Sequence, residues 1–268
     1  MRKRYVSLLI ILLSVLLIAG CSKGNDEEST GDLLAQIKEK GVITVATEGT
    51  WAPWTFHDES GELVGYDVEV AKGIAEYIGV EPEFVEGEWD GLFAGLNSKR
   101  YDIVANGVEV TPERSETYDF STPYAYIRTA IIVPEGDDSI KSFEDLDGKT
   151  TANTLASTYA TLAESYGANA IGVDDLAQTI ELLLAGRVDA TLNAEVTFYD
   201  YKAQHPEAPI KIAALTDTAS EVSIPVRKDE DSASLLSAIN EAVESMRESG
   251  ELQRLSEKYF GSDISGTN

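Results

Sequence analysis

The chain is poor in the residues that build metal centres and disulfide frameworks. Its 268 residues include one cysteine, Cys21, and two histidines, His57 and His205. A single thiol excludes an intramolecular disulfide, and these three residues lack the spacing of a zinc site. Phosphate-binding loops, glycine-rich dinucleotide turns and the G-x-S-x-G pattern of hydrolases are also missing. We therefore expect no metal and no cofactor.

Positive charge is scarce as well. The chain has 21 Lys and Arg against 47 Asp and Glu, and its formal net charge is −26. Such a surface repels the phosphates of nucleic acids, so we expect no nucleic-acid partner. The acidity favours solubility and does not by itself indicate a cationic ligand.

The first residues follow a pattern typical of secretion. Three cations within the first four residues precede an apolar run at 6–19. This pattern predicts a signal peptide over residues 1–20, since the run is short for a membrane span. The motif "LIAGC" resembles the bacterial lipobox, which implies cleavage before Cys21 and lipidation of its thiol. Residues 21–32 are polar and predict a flexible tether, so we expect an extracytoplasmic protein that a lipid anchors to the cell membrane.

Short apolar runs alternate with helical periodicity from residue 41 onward. The run "GVITVAT" predicts a buried strand, and the spacing of Val68, Ala71, Ala75 and Ile78 predicts one face of a helix. The alternation continues to an amphipathic helix near 236–246. It favours α/β units with mostly parallel sheets. Such sheets bind ligands beyond the carboxyl ends of their strands, so the loops after the predicted strands are the candidate site.

Four segments carry a resemblance to a known family. They are "TEGTWAPWTFHDESGELVGYDVEVAKGIAEYIGV", "WDGLFAGLNSKRYDIVANGVEVTPERSETYDFSTPY", "IKSFEDLDGKT" and "GRVDATLN". In order and spacing they resemble the extracytoplasmic solute-binding proteins of polar amino-acid ABC transporters (bacterial solute-binding protein family 3), and most of all the cystine-binding branch. The resemblance implies an α/β fold of the type II periplasmic-binding-protein kind, with two mostly parallel α/β lobes joined by two hinge strands. Lobe one would comprise 33–125 plus 224–268, and lobe two with the hinge segments 126–223.

The resemblance also implies a function. The protein would capture a polar amino acid, with cystine favoured, and deliver it to an ABC transporter permease and its ATPase, as a monomer and not as an enzyme. One alternative is a dehydratase-type enzyme on the same scaffold, with Glu109, Glu48 or Glu195 as general acid or base. The other is a ligand-sensing lobe for signalling. That option is disfavoured because no kinase, methyl-accepting or transmembrane segment follows Phe260.

Carboxylate binding is expected at two places. Arg114, in "TPER", could pair with Glu113 or Glu116 on an exposed turn, but its planar fork also suits a carboxylate in a cleft. The resemblance favours the cleft, because Arg114 falls on the family arginine that holds the ligand α-carboxylate. Ser157 and Thr158 open a predicted helix, where Ser157 suits an N-cap and free N–H groups attract an anion. The family has its second carboxylate contact there.

Two tryptophans are expected to line the same cleft. Aromatic side chains mostly pack in cores. The resemblance nevertheless matches Trp51 and Trp89 to the aromatic positions that enclose the ligand side chain. Gly107 is assigned to the same site, whereas Trp54 is expected in the core.

The chain departs from the family where relatives hold the ligand α-ammonium. They use an aspartate at the position of Ala194, and they carry Ser or Thr at the position of Glu109. We therefore expect Glu109 to replace the aspartate, with help from Glu195; the alternative is that both carboxylates face solvent. Glu48 falls on an acidic position that meets the ligand side chain in cation-binding relatives. A lysine- or arginine-type ligand therefore stays open.

Overall fold

The computed structural model of the protein describes residues 31–266. The predicted signal peptide and the predicted lipidation site, Cys21, lie outside the described residues. The helices are α1 (Leu33–Lys40), α2 (Tyr66–Ile78), α3 (Trp89–Asn97), α4 (Pro112–Thr117), α5 (Thr158–Ser165), α6 (Leu176–Leu184), α7 (Glu195–Gln204), α8 (Ala233–Glu248) and α9 (Glu251–Phe260). The strands are β1 (Val42–Thr47), β2 (Thr50–Trp51), β3 (Thr55–His57), β4 (Leu63–Val64), β5 (Glu81–Glu86), β6 (Ile103–Val104), β7 (Tyr118–Phe120), β8 (Ala125–Ile127), β9 (Thr129–Pro134), β10 (Thr150–Asn153), β11 (Asn169–Gly172), β12 (Thr191–Ala194), β13 (Ile210–Leu215), β14 (Ser220–Val222) and β15 (Pro225–Arg227). Across residues 31–266, no helix is both long and apolar enough to cross a membrane.

Lobe one, as used below, is built around the parallel sheet β5–β1–β6. Ile43 and Val45 of β1 are fully buried, because β-branched side chains pack well on a covered, pleated surface. The predicted apolar face of α2 is confirmed, since its four residues are all buried. This face packs the helix onto the sheet and onto α8.

Lobe two is built around strand β9, which lies between β12 and β13 and is antiparallel to both. Strands β10 and β11 are parallel to each other. The predicted parallel pairing therefore describes the sheet of lobe one, whereas lobe two combines both directions. Strand β9 follows directly on β8, so the chain enters lobe two on this strand before the helix–strand alternation resumes.

The chain passes between the lobes on antiparallel strands, with β8 paired to β14 and β7 paired to β15. The N–H of Val110 donates to the carbonyl of Glu221 (2.9 Å), and that of Ser223 donates to the carbonyl of Val108 (3.0 Å). The loop after β6 is thus tied to the returning strand. The residue limits of the two lobes stay a prediction.

Candidate functional site

A cleft lies between the lobes, at the carboxyl ends of β1, β6 and β10. Residues from both lobes line this cleft. Its place at the strand ends is the one expected for ligand sites of α/β sheets. The sequence-predicted residues that it brings together are Glu48, Trp51, Trp89, Gly107, Glu109, Arg114, Ser157 and Thr158.

Arg114 is held in the cleft by the local structure of "TPER". Thr111 caps α4 by accepting a hydrogen bond from the N–H of Arg114 (3.1 Å), and Pro112 occupies the first helical position, where its missing N–H does no harm. The Arg114 guanidinium lies 5.2 Å from the ring centre of Trp89 and 5.3 Å from that of Phe93. The cap and the two rings therefore aim the cation into the cleft.

The guanidinium of Arg114 also contacts backbone oxygens of both lobes. Its NH1 donates to the carbonyl of Glu109 (2.9 Å) and its NH2 to that of Ala156 in lobe two (3.4 Å). Burial lowers the pKa of Arg114, and the negative charge of Glu109 opposes this effect. An arginine remains protonated regardless. It has five N–H donors, so these two contacts leave a fork for a planar carboxylate.

Glu109 is a buried carboxylate that reaches across the cleft. Its side chain is 5% exposed, and its Oε1 accepts a hydrogen bond from the Thr158 hydroxyl (2.5 Å). Its backbone pairs with Val222 of β14. Glu109 therefore lies in the cleft at the junction of the lobes and does not face solvent.

The N-terminus of helix α5 lies at the cleft. Ser157 is its N-cap, as predicted: the hydroxyl accepts from the N–H of Ala160 (3.1 Å) and donates to the carbonyl of Thr154 (2.5 Å). The other N–H groups of this first turn belong to the positive end of the helix dipole, which favours an anion nearby.

Aromatic rings form part of the cleft wall. Trp51 stacks on Trp54 at 5.3 Å between ring centres. Trp54 is fully buried and donates from Nε1 to Thr197 (3.2 Å), so its predicted core position is confirmed. Gly107 has a φ of +57°, and a Cβ there would come within 2.5 Å of the Trp51 ring. Only glycine allows this close approach without strain.

Glu48 is held by a side chain that the sequence analysis did not single out, Asn106. The Oδ1 of Asn106 accepts from the N–H of Glu48 (2.8 Å) and from the hydroxyls of Thr47 and Thr55 (3.1 and 3.2 Å). Its NH₂ group must therefore face Glu48, to whose Oε2 it donates (2.5 Å). The pKa of Glu48 is raised to about 7, chiefly by burial; the Asn106 hydrogen bond opposes this effect, and the charges of Asp175 and Asp90 add to it.

Asp67 is a second buried acid that sequence reasoning missed. It lies under the cleft floor, fully buried, and accepts hydrogen bonds from the N–H of Gly107 and the hydroxyl of Tyr124. Burial raises the pKa of Asp67 to about 7, against these two hydrogen bonds. Asp67 thus positions the Gly107 loop without lining the cleft.

Further lining residues were also missed, although most follow the rule that loops after strands form the site. They are Thr50, Asn106, Asn153, Thr154, Tyr159, Asp175, Leu176, Thr179 and Asn193. Asn106 follows β6 closely, and Asn153 and Asn193 lie at the ends of β10 and β12. These strand ends were the available signal.

The prediction for Glu195 requires a correction. Glu195 does not line the cleft but forms a two-point ion pair with Arg128, with distances of 2.7 and 3.0 Å. Residue Ala194 is fully buried and precedes α7, so the first turn of this helix directs the Glu195 side chain to the outer surface. Of the two acids expected to hold the α-ammonium, Glu109 and Glu195, only Glu109 therefore lines the cleft.

Comparisons with known proteins agree with this arrangement. The family model of bacterial extracellular solute-binding proteins, family 3, matches residues 43–262. The L-cystine-binding protein TcyA of Bacillus subtilis (strain 168) is 40% identical over 269 residues, covering 98% of this chain and 99% of the relative. An ancestral arginine-binding protein bound to arginine has a TM-score of 0.77 at 38% identity, covering 82% of this chain and 99% of its own. The L-cystine solute receptor of Neisseria gonorrhoeae, in its unliganded open conformation, has a TM-score of 0.60 at 40% identity. This match covers 89% of this chain and 100% of the receptor chain.

The TM-score is higher for the arginine-bound neighbour than for the open one. In this structure the lobes are in contact across the cleft, since Arg114 donates to the carbonyl of Ala156 and Glu109 accepts from the Thr158 hydroxyl. The two-lobed α/β fold predicted from the sequence is confirmed, and the relatives are binding proteins and not enzymes. The chain belongs to the bacterial extracellular solute-binding proteins, family 3.

Proposed function

We propose that this protein captures an α-amino acid between its two lobes and delivers it to an ABC transporter permease. The observation that carries the proposal is the half-buried Arg114 fork, which lies against Trp89 and Phe93 beside the buried Glu109 carboxylate. An arginine and a glutamate facing one cleft match the two charges of an amino-acid head group. The names of the relatives, which include a cystine-binding and an arginine-binding protein, support the same class of ligand.

In the proposed complex, the α-carboxylate lies between Arg114 and the first turn of α5, near Ser157 and Thr158. Glu109 supplies the countercharge of the α-ammonium in place of the aspartate that is absent at Ala194. Trp51, with Gly107 beneath it, and Trp89 enclose the side chain. Each of these groups lines the cleft.

Closure of the lobes follows from the same contacts. Glu109 already meets Thr158, and Arg114 already meets the carbonyl of Ala156, across the cleft. A ligand that neutralises both charges adds contacts to each lobe and so favours the closed state over the open one.

The cleft is lined by further acidic groups, Glu48 of lobe one and Asp175 of lobe two. A ligand with a second cationic group would compensate them. The second ammonium of cystine and the guanidinium of arginine both meet this requirement. We favour cystine, because the sequence motifs resemble those of the cystine-binding branch and the L-cystine-binding protein TcyA is 40% identical.

A ligand panel tests the proposal. L-cystine, L-arginine, L-lysine and L-glutamine are added to the purified chain in thermal unfolding. A ligand that binds only the folded protein raises the melting temperature by mass action, and we expect L-cystine to raise it most. The Arg114→Ala variant is the control and should not respond. No response of the wild-type protein to any of these amino acids would contradict the proposal.

Membrane anchoring and delivery are also proposed, and they depend on Cys21. Its place after an apolar signal-like segment supports lipidation. Cell fractionation tests the anchor: Cys21→Ser should move the protein from the membrane fraction to the soluble fraction. It should also lower uptake of labelled L-cystine by whole cells.

The raised pKa of Glu48 predicts a pH dependence of stability. The folded protein holds this proton more tightly than the unfolded chain, so the unliganded protein loses stability as pH rises from about 4.5 to about 7. The free energy of unfolding should fall by about 1–3 kcal/mol from this group. Glu48→Gln should remove that part of the slope, while Asp67 contributes in the same direction in both proteins. Urea unfolding of both proteins at about pH 5 and about pH 8 measures this change in the free energy of unfolding. An equal change in wild type and Glu48→Gln would contradict the expectation.

A further inference from the structure

Among the buried polar atoms that lack a hydrogen-bond partner within the described residues, two belong to side chains of lobe two that line the cleft. They are Tyr159 Oη and Asn153 Oδ1. Tyr159 is 8% exposed and Asn153 2%. An unpaired buried polar group is costly and rare in a folded protein. A ligand group that enters the cleft is a natural partner for both atoms.

The orientation of Asn153 is set by its own hydrogen bonds. Its Nδ2 donates to the carbonyl of Leu192 (2.8 Å) and lies 3.4 Å from the hydroxyl of Thr191. The NH₂ group therefore faces β12, and Oδ1 is turned away from that strand. A carbonyl oxygen can only accept, so the missing partner of Asn153 is a hydrogen-bond donor.

Tyr159, the second residue of α5, brings its hydroxyl to the backbone N–H of Ala194. That N–H donates to Asn193 Oδ1 (2.9 Å) and lies close to the Tyr159 hydroxyl without the geometry of a hydrogen bond to it. Burial raises the pKa of Tyr159 well above its ordinary value, and the charge of Glu109 adds to the effect, against the influence of Arg114. The phenol therefore stays neutral and lies within the electrostatic reach of both charged residues of the head-group site.

We propose that Tyr159 Oη and Asn153 Oδ1 accept hydrogen bonds from the ligand's α-ammonium, while Glu109 of lobe one supplies its countercharge. The inference rests on the proposed function. An ammonium has three donors in fixed directions, and the Glu109 carboxylate already accepts one bond from Thr158. The two neutral oxygens of lobe two provide the remaining acceptors for the ammonium. The side chain of Ala194 cannot do so, because it is a methyl group.

This arrangement gives the two lobes different tasks. Both charges of the head-group site, Glu109 and Arg114, come from lobe one and are five residues apart in sequence. Lobe two adds neutral oxygens when it closes over the ligand. Loss of a lobe-two oxygen should therefore act on dissociation from the closed state more than on the first encounter.

The test compares Tyr159→Phe with wild type in the full chain, using L-cystine and dithiodipropionate, which is cystine without its amino groups. Should the panel rank L-arginine first, L-arginine and guanidinovalerate replace them. Competition measurements give the affinities of the weakly binding analogues and variants. We expect Tyr159→Phe to weaken binding of the amino acid about 10- to 100-fold and that of the des-amino acid less than about two-fold. The loss should appear in the dissociation rate.

Matched variants separate this effect from a change in folding. Tyr166→Phe removes a hydroxyl at the end of the same helix, outside the cleft, and should bind as wild type does. Thermal unfolding checks that Tyr159→Phe is folded. Asn153→Ala also loses the bond to Leu192, so its absolute affinities are not compared. The ratio of its affinity for the amino acid to that for the des-amino analogue should fall, as it does in Tyr159→Phe.

Two results would overturn the inference. One is unchanged affinity of Tyr159→Phe for the amino acid. The other is an equal loss for the amino acid and its des-amino analogue, which would make the hydroxyl a carboxylate contact or a packing group. Either result overturns the inference only when the wild-type protein binds the amino acid. A wild type that binds none of the panel instead contradicts the proposed function.

Discussion

Replacing Arg114 by alanine is expected to cause the largest loss of amino-acid affinity while the protein remains folded. The change removes a charge-assisted two-point contact and leaves the ligand carboxylate buried without a cation. Such a loss costs roughly 2–5 kcal/mol, or a factor of about 30 to 5,000 in affinity. Calorimetry with the best ligand of the panel measures it, and thermal unfolding should show an intact domain.

Two controls show that the position and the shape of this cation matter. Arg254→Ala removes an arginine of α9 that is exposed and paired with Glu251, so binding should not change. Arg114→Lys keeps the charge but loses the planar fork, and its affinity should lie between those of wild type and Arg114→Ala. Near-normal binding by Arg114→Ala would contradict the assignment of the carboxylate site.

Replacing Glu109 by glutamine is expected to give the second large loss. The variant keeps an oxygen that can accept from Thr158, so the cleft should retain its shape. It loses the countercharge of the α-ammonium, and a hydrogen bond to a charged group contributes about 1.5–3 kcal/mol. Affinity measured by calorimetry should fall roughly 10- to 150-fold.

The chain provides a matched control for this change. Glu195→Gln is the same substitution at an acid that pairs with Arg128 outside the cleft, and it should leave affinity unchanged. Wild-type affinity of Glu109→Gln for the free amino acid would mean that other groups hold the ammonium.

A double substitution tests whether the charge can move between lobes. Glu109→Thr with Ala194→Asp returns the carboxylate to lobe two and should restore part of the affinity that Glu109→Thr alone loses. The rescue is expected to be partial, because Ala194 is fully buried and its backbone N–H lies close to the Tyr159 hydroxyl. Neighbouring residues that share one ligand rarely act additively.

Local sequence patterns were sufficient to predict much of the secondary structure. The apolar face of α2 and the buried run of β1 are properties of short stretches, so periodicity identified both. It did not identify β2–β4, whose strands span only two or three residues, or α7, whose apolar residues follow no clear period. These elements form because neighbouring elements cover them.

The candidate site divides in the same way. The N-cap at Ser157 depends on neighbours within three residues, so the sequence by itself predicted it. The cap at Thr111 is equally local, although the sequence analysis did not single it out. Glu195 was wrong as a cleft residue because adjacency to Ala194 does not tell which side of a helix end a side chain takes. Only the packing against Arg128 decided that.

Contacts between the lobes could be decided only by the tertiary structure. Glu109 and Thr158 are 49 residues apart, and Tyr159 meets the environment of Glu109 only when the lobes face each other across the crossing strands. The pKa of Glu48 likewise depends on burial in a cleft that both lobes form. The sequence by itself determined which residue types lie at the strand ends. Which of them face one ligand was decided by closure of the lobes, since burial and distance between remote segments have no local signal.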